Sequence, residues 1–227
     1  MSLIEELKKV LGDQSVLTGT DKERYSSDWL GQYQFEPLCV VRPASTEEVS
    51  DIVRLARSFH VNIVPVGGNT GLNGGTHSDN AISISMERMN KICEIRLNSK
   101  IAIVEAGVIL ANLHQMVNEN DLMFPLTFGA RGSATIGGVL STNAGGSNVL
   151  KYGNTRDLVL GVEIVLPNGD IMNLMSELHK DNSGYCLRDL VIGAEGTLGI
   201  ITKAVLKLFP KPKAYATAMI AVESLDS

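Results

Sequence analysis

Residues 64–75 read Val-Pro-Val-Gly-Gly-Asn-Thr-Gly-Leu-Asn-Gly-Gly, directly after the start of an apolar, strand-like run at 61–66. Glycine accepts φ > 0 and lets backbone approach a ligand closely. Successive N–H groups in such a turn form a nest that holds an anion. The segment has no Lys or Arg, so backbone dipoles and the Asn69 and Thr70 side chains are what it offers a phosphate. It is not a P-loop, which ends in Gly-Lys-Ser/Thr, nor the Gly-x-Gly-x-x-Gly dinucleotide fingerprint. Taken alone, it fits a glycine-rich surface loop as well as a phosphate site.

Two further clusters favour the site. Residues 125–153 contain Gly129, Gly132, Gly137, Gly138, Gly145, Gly146 and Gly153, and residues 192–202 read Ile-Gly-Ala-Glu-Gly-Thr-Leu-Gly-Ile-Ile-Thr. Disordered glycine tracts are poor in branched apolar residues. Here Ile136, Val139, Leu140, Leu198, Ile200 and Ile201 interrupt the glycines. The pattern is that of ordered backbone wrapped closely around something.

Two kinds of element must position these loops. In the first half, Leu3, Leu7, Val10 and Leu11 mark a helix face, and 38–41 is a short apolar strand stopped by Pro43. Ser45-Thr46-Glu47-Glu48 reads as a capping box, followed by a helix whose inner face is Val49, Ile52, Val53 and Ala56. The strand at 61–66 completes a strand–helix–strand unit, which builds a parallel sheet and places ligands at its C-terminal edge. The second half has short runs at 81–86, 92–97 and 101–106, and a helix marked by Leu110, Leu113, Met116 and Val117. The runs at 158–166 and 171–174 flank the hairpin signal Pro167-Asn168-Gly169-Asp170. A last strand at 200–208 stops at Pro210 and Pro212. The expected fold class is α+β with two lobes. A small α/β lobe with a short parallel sheet (1–88) precedes a larger lobe with an antiparallel sheet flanked by helices (89–213).

At 227 residues, 44% hydrophobic and 20% charged, the chain has globular composition. A net charge of −5 without a basic run argues against nucleic acid, whose binding rests on phosphate neutralisation. No apolar stretch approaches a membrane span of roughly 20 residues. Cys39, Cys93 and Cys186 show no metal spacing. Three buried thiols in a reducing cytoplasm is the simplest expectation.

Six motifs occur in order: Pro65-Val66-Gly67-Gly68-Asn69-Thr70-Gly71-Leu72, Gly132-Ser133-Ala134-Thr135-Ile136-Gly137-Gly138, Thr142-Asn143-Ala144-Gly145-Gly146, Tyr152-Gly153, Lys180-Asp181-Asn182-Ser183-Gly184-Tyr185 and Gly193-Ala194-Glu195-Gly196-Thr197-Leu198-Gly199. Together they resemble the FAD-binding domain of the vanillyl-alcohol oxidase superfamily. Within it, the likeness is to FAD-linked D-2-hydroxyacid dehydrogenases such as the glycolate oxidase FAD subunit and D-2-hydroxyglutarate dehydrogenase. The resemblance spans residues 36–213.

It implies that Pro65, Val66, Gly67, Gly68, Asn69, Thr70 and Gly71 hold the FAD pyrophosphate, with Gly74 and Gly75 close behind. Pro125, Leu126, Gly129, Gly132, Ser133, Thr135, Ile136, Gly137 and Gly138 would run beside the isoalloxazine and ribityl chain. Asn143, Ala144, Gly145 and Gly146 would continue that wall, with Tyr152 and Gly153 in the same set. Glu195, Gly196, Gly199, Ile200 and Ile201 would pass the adenosine half. Relatives with covalent flavin often carry a histidine where this chain has Asn69, which implies non-covalent FAD. Relatives also continue into a cap domain that supplies substrate-binding basic residues, a metal-binding histidine cluster and the base. Residues 214–227 are expected to begin that cap, with 214–222 as a strand whose free edge invites self-association.

The catalytic residues stay unassigned. His60, His77, His114 and His179 are scattered, and His77 abuts the first loop. Glu195 reads as a buried carboxylate accepting backbone N–H bonds rather than a base. Arg131 reads as exposed, and Trp29 and Tyr33 as packing residues. Three functions fit: a flavin oxidoreductase turning a D-2-hydroxy acid into a 2-oxo acid with an acceptor other than dioxygen, an FAD module inactive alone, or a cell-wall-type flavin reductase sharing the fold.

Overall fold

The computed structural model describes residues 2–222 and 224. The first lobe contains α1 (Leu3–Leu11), β1 (Val16–Leu17), β2 (Cys39–Val41), α2 (Thr46–Ser58), β3 (Ile63–Val66) and β4 (Ile82–Ser85). Its sheet runs β1-β2-β4-β3. β2 and β3 both lie parallel to β4, and β1 adds an antiparallel edge. β2 and β4 are buried along their whole length, as central strands of a two-sided sheet must be. α2 makes the crossover and buries Val49, Ile52, Val53 and Ala56 as expected. Its cap is half of a capping box. The Ser45 hydroxyl accepts from Glu48 N–H, but the Glu48 carboxylate accepts from Ala44 N–H at 2.7 Å instead of from Ser45.

The second lobe contains β5 (Ile92–Arg96), β6 (Ile101–Glu105), α3 (Leu110–Asn118), β7 (Leu122–Met123), α4 (Ile136–Ser141), α5 (Val149–Tyr152), β8 (Val159–Val165), β9 (Ile171–Leu174), α6 (Leu187–Val191), β10 (Ile200–Lys207) and β11 (Phe209–Pro210). Five strands form an antiparallel sheet in the order β5-β6-β10-β8-β9, and β7 pairs with β11. The β8–β9 turn is the expected one, with Gly169 at φ 87°. One core joins α3 and α4 (Leu110, Leu113, Ile136, Leu140) to the sheet residues Val104, Val162, Ile164 and Ala204. The fold is thus α+β, with a small, mainly parallel sheet and a larger antiparallel one.

The lobes are locked together. Val165 and Ile200 of the large sheet, and Ala106 just after β6, belong to the core that packs α1 and α2. The Glu163 carboxylate accepts from Thr46 Oγ1 of α2 at 2.5 Å, Thr202 Oγ1 at 2.9 Å and Lys203 Nζ at 2.9 Å.

Two expectations are corrected. Residues 214–222 form no strand, and Tyr215, Met219, Ile220 and Val222 are exposed. A strand needs a partner, and 214–222 pairs with no described strand; residues 223 and 225–227 of the segment lie outside the described residues. Of the cysteines, Cys39 alone is buried, and its burial pushes the thiol pKa up to about 11.

Candidate functional site

The three glycine segments meet in one cleft of about 440 Å³. β3 delivers the first loop to the C-terminal edge of the small sheet. Segment 134–144, which contains α4, supplies the opposite wall, and Glu195 with the start of β10 closes the end. Of the expected residues, Pro65, Val66, Gly67, Gly68, Asn69, Thr70, Gly71, Gly75, Thr135, Gly137, Gly138, Ala144, Glu195, Gly199, Ile200 and Ile201 line it. Leu72, Phe128, Ala134 and Thr142, which lie in or beside the quoted motifs, line it too, and sequence reasoning passed over Asn73, Thr76, Met86, Val139 and Ser141, which join them. Met86 carried a signal, since it follows a buried parallel strand at the edge where such sheets place ligands.

A second cavity of about 380 Å³ lies against Gly67, Gly68 and Thr135 and reaches Glu87, Asn90, Asn112 and Ser133. Ser133 therefore lies beside the main cleft rather than in it. The other expected residues shape the walls from behind. Gly74 faces the Tyr33 ring, Gly146 the Thr127 backbone, Gly145 the Asn154 side chain and Gly196 the Pro65 ring. Leu126 and Ile136 are core. The Pro125 carbonyl accepts from Asn148 Nδ2, and Asn143 Oδ1 accepts from Arg156 N–H. Gly129 and Gly132 lie in a short 3-10 turn. Tyr152 packs edge-on against Phe209 at 4.8 Å, and Gly153 ends α5 at φ 81°.

The glycines serve contacts between loops more than unusual dihedrals. Neither Gly68 nor Gly137 has positive φ. A Cβ on Gly68 would lie 1.9 Å from the Ser133 carbonyl oxygen, and one on Gly67 would lie 2.4 Å from Thr135 Oγ1. The first loop enters the left-handed region at Asn69, φ 49°, a conformation Asn tolerates, and again at Gly74, φ 68°. Its side chain is spent on holding the loop: Nδ2 donates to Ser27 O at 2.9 Å, and Oδ1 accepts from Thr76 Oγ1 at 2.7 Å. Asn69 thus shapes the nest, while its Nδ2 keeps a second N–H that these two bonds do not use.

The charge pattern of the cleft is spare. Among the described residues, no Lys, Arg or His lines it, and Glu195 is its one charged residue. Glu195 stands at φ 52° and is exposed, so it is not the buried carboxylate expected. Flanking glycines turn the chain there, and Glu195 N–H donates to Ser141 O at 2.9 Å. Among the described residues, no N–H from Gly68 to Thr76 donates to a backbone carbonyl. Those donors are available to a ligand.

The histidines lie elsewhere. His77 packs edge-on against Phe35 at 5.1 Å, and His179 Nε2 is 2.8 Å from Ser99 O. His114 is half-buried on α3; desolvation, and secondarily the nearby Arg131 charge, hold its imidazole below the ordinary value despite backbone hydrogen bonds. No group of three His, Cys, Asp or Glu side chains among the described residues could hold a metal. Trp29 is 59% exposed, so it is not the packing residue expected.

The family described as FAD binding domain matches residues 37–175. The D-2-hydroxyglutarate dehydrogenase of Xanthomonas citri is 41% identical over 207 residues, which are 91% of this chain and 44% of that protein. The Stutzerimonas stutzeri protein of the same name is 38% identical over all of this chain and 49% of its own length. The mitochondrial Arabidopsis thaliana enzyme is 39% identical over 96% of this chain and 39% of itself. Among solved structures, an alkyldihydroxyacetonephosphate synthase superposes with a TM-score of 0.83 at 26% identity, covering 93% of this chain and 41% of that one. The chain thus spans less than half the length of these relatives. The glycine-walled cleft, with its backbone donors and lack of cations, is that of a cofactor domain, and the chain belongs to the FAD-binding domain family.

Proposed function

We propose that the cleft holds FAD non-covalently and that the chain is the FAD-holding part of an enzyme oxidising a D-2-hydroxy acid to a 2-oxo acid. One observation carries this reading: a loop with unpaired N–H donors faces a buried, unpartnered hydroxyl, Thr135 Oγ1, across glycines that leave no room for side chains. The residues fit the group. Gly68 to Thr76 would receive the pyrophosphate, the backbone of Gly137 and Gly138 would pass the slender linking chain, and Ile200 and Ile201 would offer apolar contact. When bound, FAD supplies a two-electron acceptor, and the protein's part is to orient it and exclude water. Asn69, with both polar ends of its side chain engaged, offers no nucleophile for a covalent link.

The substrate class follows the relatives, three of which are named D-2-hydroxyglutarate dehydrogenases. A hydroxy acid needs a cation for its carboxylate and a base for its hydroxyl proton. Among the described residues, the cleft has no Lys, Arg or His for either task. That supports a second reading at the level of this chain: an FAD module that turns over only with a further polypeptide region, on the same or another chain.

The test is reconstitution with FAD, followed by assays on D-2-hydroxyglutarate, D-lactate and glycolate with an artificial electron acceptor. The same assays should be run on a version extended by any downstream coding sequence. Stoichiometric FAD with activity confined to the extended version is expected. Failure of the chain to retain any FAD would falsify the assignment.

A further inference from the structure

The loop that carries the free donors has few bonds of its own. Among the described residues, no N–H from Gly68 to Thr76 donates to a backbone carbonyl. Thr76 Oγ1 closes on Asn69 Oδ1, and His77 N–H donates to Gly74 O at 3.0 Å. Its further support comes from an upstream segment, 27–36. β2 and β4 are parallel neighbours with Cys39 opposite Ile82, and the chain entering β2 continues that pairing backwards along the chain entering β4. Leu38 N–H donates to Ala81 O at 2.9 Å, Glu36 O accepts from Asn80 N–H at 3.0 Å, and Glu36 N–H donates to Asp79 Oδ1 at 3.0 Å. Phe35, itself buried, packs edge-on against His77. The Tyr33 ring lies over Gly74, its Cδ2 and Cε2 3.1 Å from the place of a Cβ. Ser27 O accepts from Asn69 Nδ2 at 2.9 Å. The contacts climb the loop until they reach its first left-handed turn.

The segment has a shape of its own to impose. Ser27 and Gln34 pair as an antiparallel bridge. Asp28 Oδ1 accepts from Tyr33 N–H at 2.9 Å, and Asp28 O accepts from Gly31 N–H at 3.1 Å, with Gly31 at φ 67°. Asp28 is buried, which shields this fastening from water. Tyr33 is 47% exposed and belongs to neither large core. It does not line the cleft either. The work its ring can do is therefore on the loop, at Gly74.

Resting on the FAD reading above, we infer that segment 27–36 is a strap that sets the shape of the anion nest before the cofactor arrives, with Tyr33 as its positioning residue. Holding a loop in its bound conformation raises affinity by removing the ordering cost from the binding step. A loop that is competent for only a fraction of the time binds more weakly by that fraction. The effect falls on ligands that bring phosphate to the nest, and not on the bare flavin ring and ribityl chain.

The experiment compares the wild type, Tyr33→Phe and Tyr33→Ala by calorimetric titration with three probes: FAD, ADP and riboflavin. Thermal unfolding of each apo protein runs alongside. So does hydrogen exchange at the His77 amide, which reports the loop turn through its bond to Gly74 O. Tyr33→Ala should bind FAD and ADP about tenfold more weakly, the loss for a loop competent about a tenth of the time. It should keep riboflavin affinity and the wild-type apo unfolding midpoint. Its His77 amide should exchange faster in the apo protein and regain protection once ADP saturates the site. Tyr33→Phe keeps the ring and should match the wild type in every readout. Unchanged FAD and ADP affinity in Tyr33→Ala, an equal loss for riboflavin, an equal loss in Tyr33→Phe, or an apo protein that unfolds several degrees earlier each overturns the inference. A wild-type chain that binds no FAD removes the cofactor reading and this inference with it, whereas normal wild-type binding with an unaffected alanine variant removes this inference alone.

Discussion

At the residue scale, the glycines of the first loop divide into two kinds that sequence alone cannot tell apart. Gly68 is glycine because the Ser133 carbonyl occupies the place of its Cβ, whereas Gly71 has no heavy atom within 4 Å of that place. Gly68→Ala should therefore force the two walls apart. Overpacking of this kind costs typically 1–3 kcal/mol, a fall of about 2–4 °C in Tm per kcal/mol for a chain of this size. Gly71→Ala should leave the apo Tm unchanged and weaken FAD, because the added methyl projects into the open cleft. Equal Tm values for the two variants would show that the wall contact carries no strain. The reading of these glycines as sites of positive φ was natural from composition, but among them it holds for Gly74 alone, and the other left-handed residue of the loop is Asn69. No local pattern shows that Ser133, 65 positions away, is what excludes a side chain from Gly68.

At the scale of elements, the parts with a clean period were legible. The apolar spacing of α2 and the hairpin signal at 167–170 follow from local chemistry and appear as read. The contacts that join one lobe to the other were not legible. Glu163 reads as an ordinary polar residue in an alternating strand, yet it binds α2 to β10 through Thr46, Thr202 and Lys203. Burial pushes its carboxyl pKa up, and the hydrogen bonds from Thr46, Lys203 and Thr202 together with the Lys203 charge outweigh that, leaving it below the ordinary value. The sign follows: this stabilisation is complete above the ordinary carboxyl range and is lost as pH falls through the lowered native value. Glu163→Ala, which leaves Lys203 and two hydroxyls without their partner, should cost about 1–3 kcal/mol at neutral pH. The gap from wild type should narrow as the solution is acidified. A constant difference in urea-unfolding free energy across the acid range would refute the ionised role. His114 adds a second pH window. Its depressed pKa means the unfolded chain takes up the proton first, so stability declines as pH falls below the ordinary imidazole value near 6.5. His114→Gln should flatten that part of the stability–pH curve without affecting the acid limb set by Glu163.

For the whole molecule, the question is what this chain does by itself. Among the described residues, the cleft presents backbone donors and a single carboxylate, which suits holding a cofactor. Oxidising an α-hydroxy acid requires a proton acceptor within hydrogen-bond reach of the substrate hydroxyl and a site from which water is excluded. Among the described residues, Glu195 is the one titratable side chain lining the cleft, and it is exposed. It would also repel a carboxylate substrate. The 227-residue chain should therefore bind FAD and release all of it on acid precipitation, since Asn69 offers no linkage. Its turnover with D-2-hydroxyglutarate, D-lactate or glycolate should be at most a small fraction of that of the extended version. Glu195→Gln discriminates further. If the residual rate comes from an adventitious base at Glu195, the variant abolishes it and leaves FAD affinity intact. If Glu195 merely repels substrate, the variant lowers KM and leaves kcat unchanged. Full turnover by the wild-type chain, with yellow colour remaining on the precipitated protein, would mean that both the missing base and the non-covalent cofactor had been misjudged.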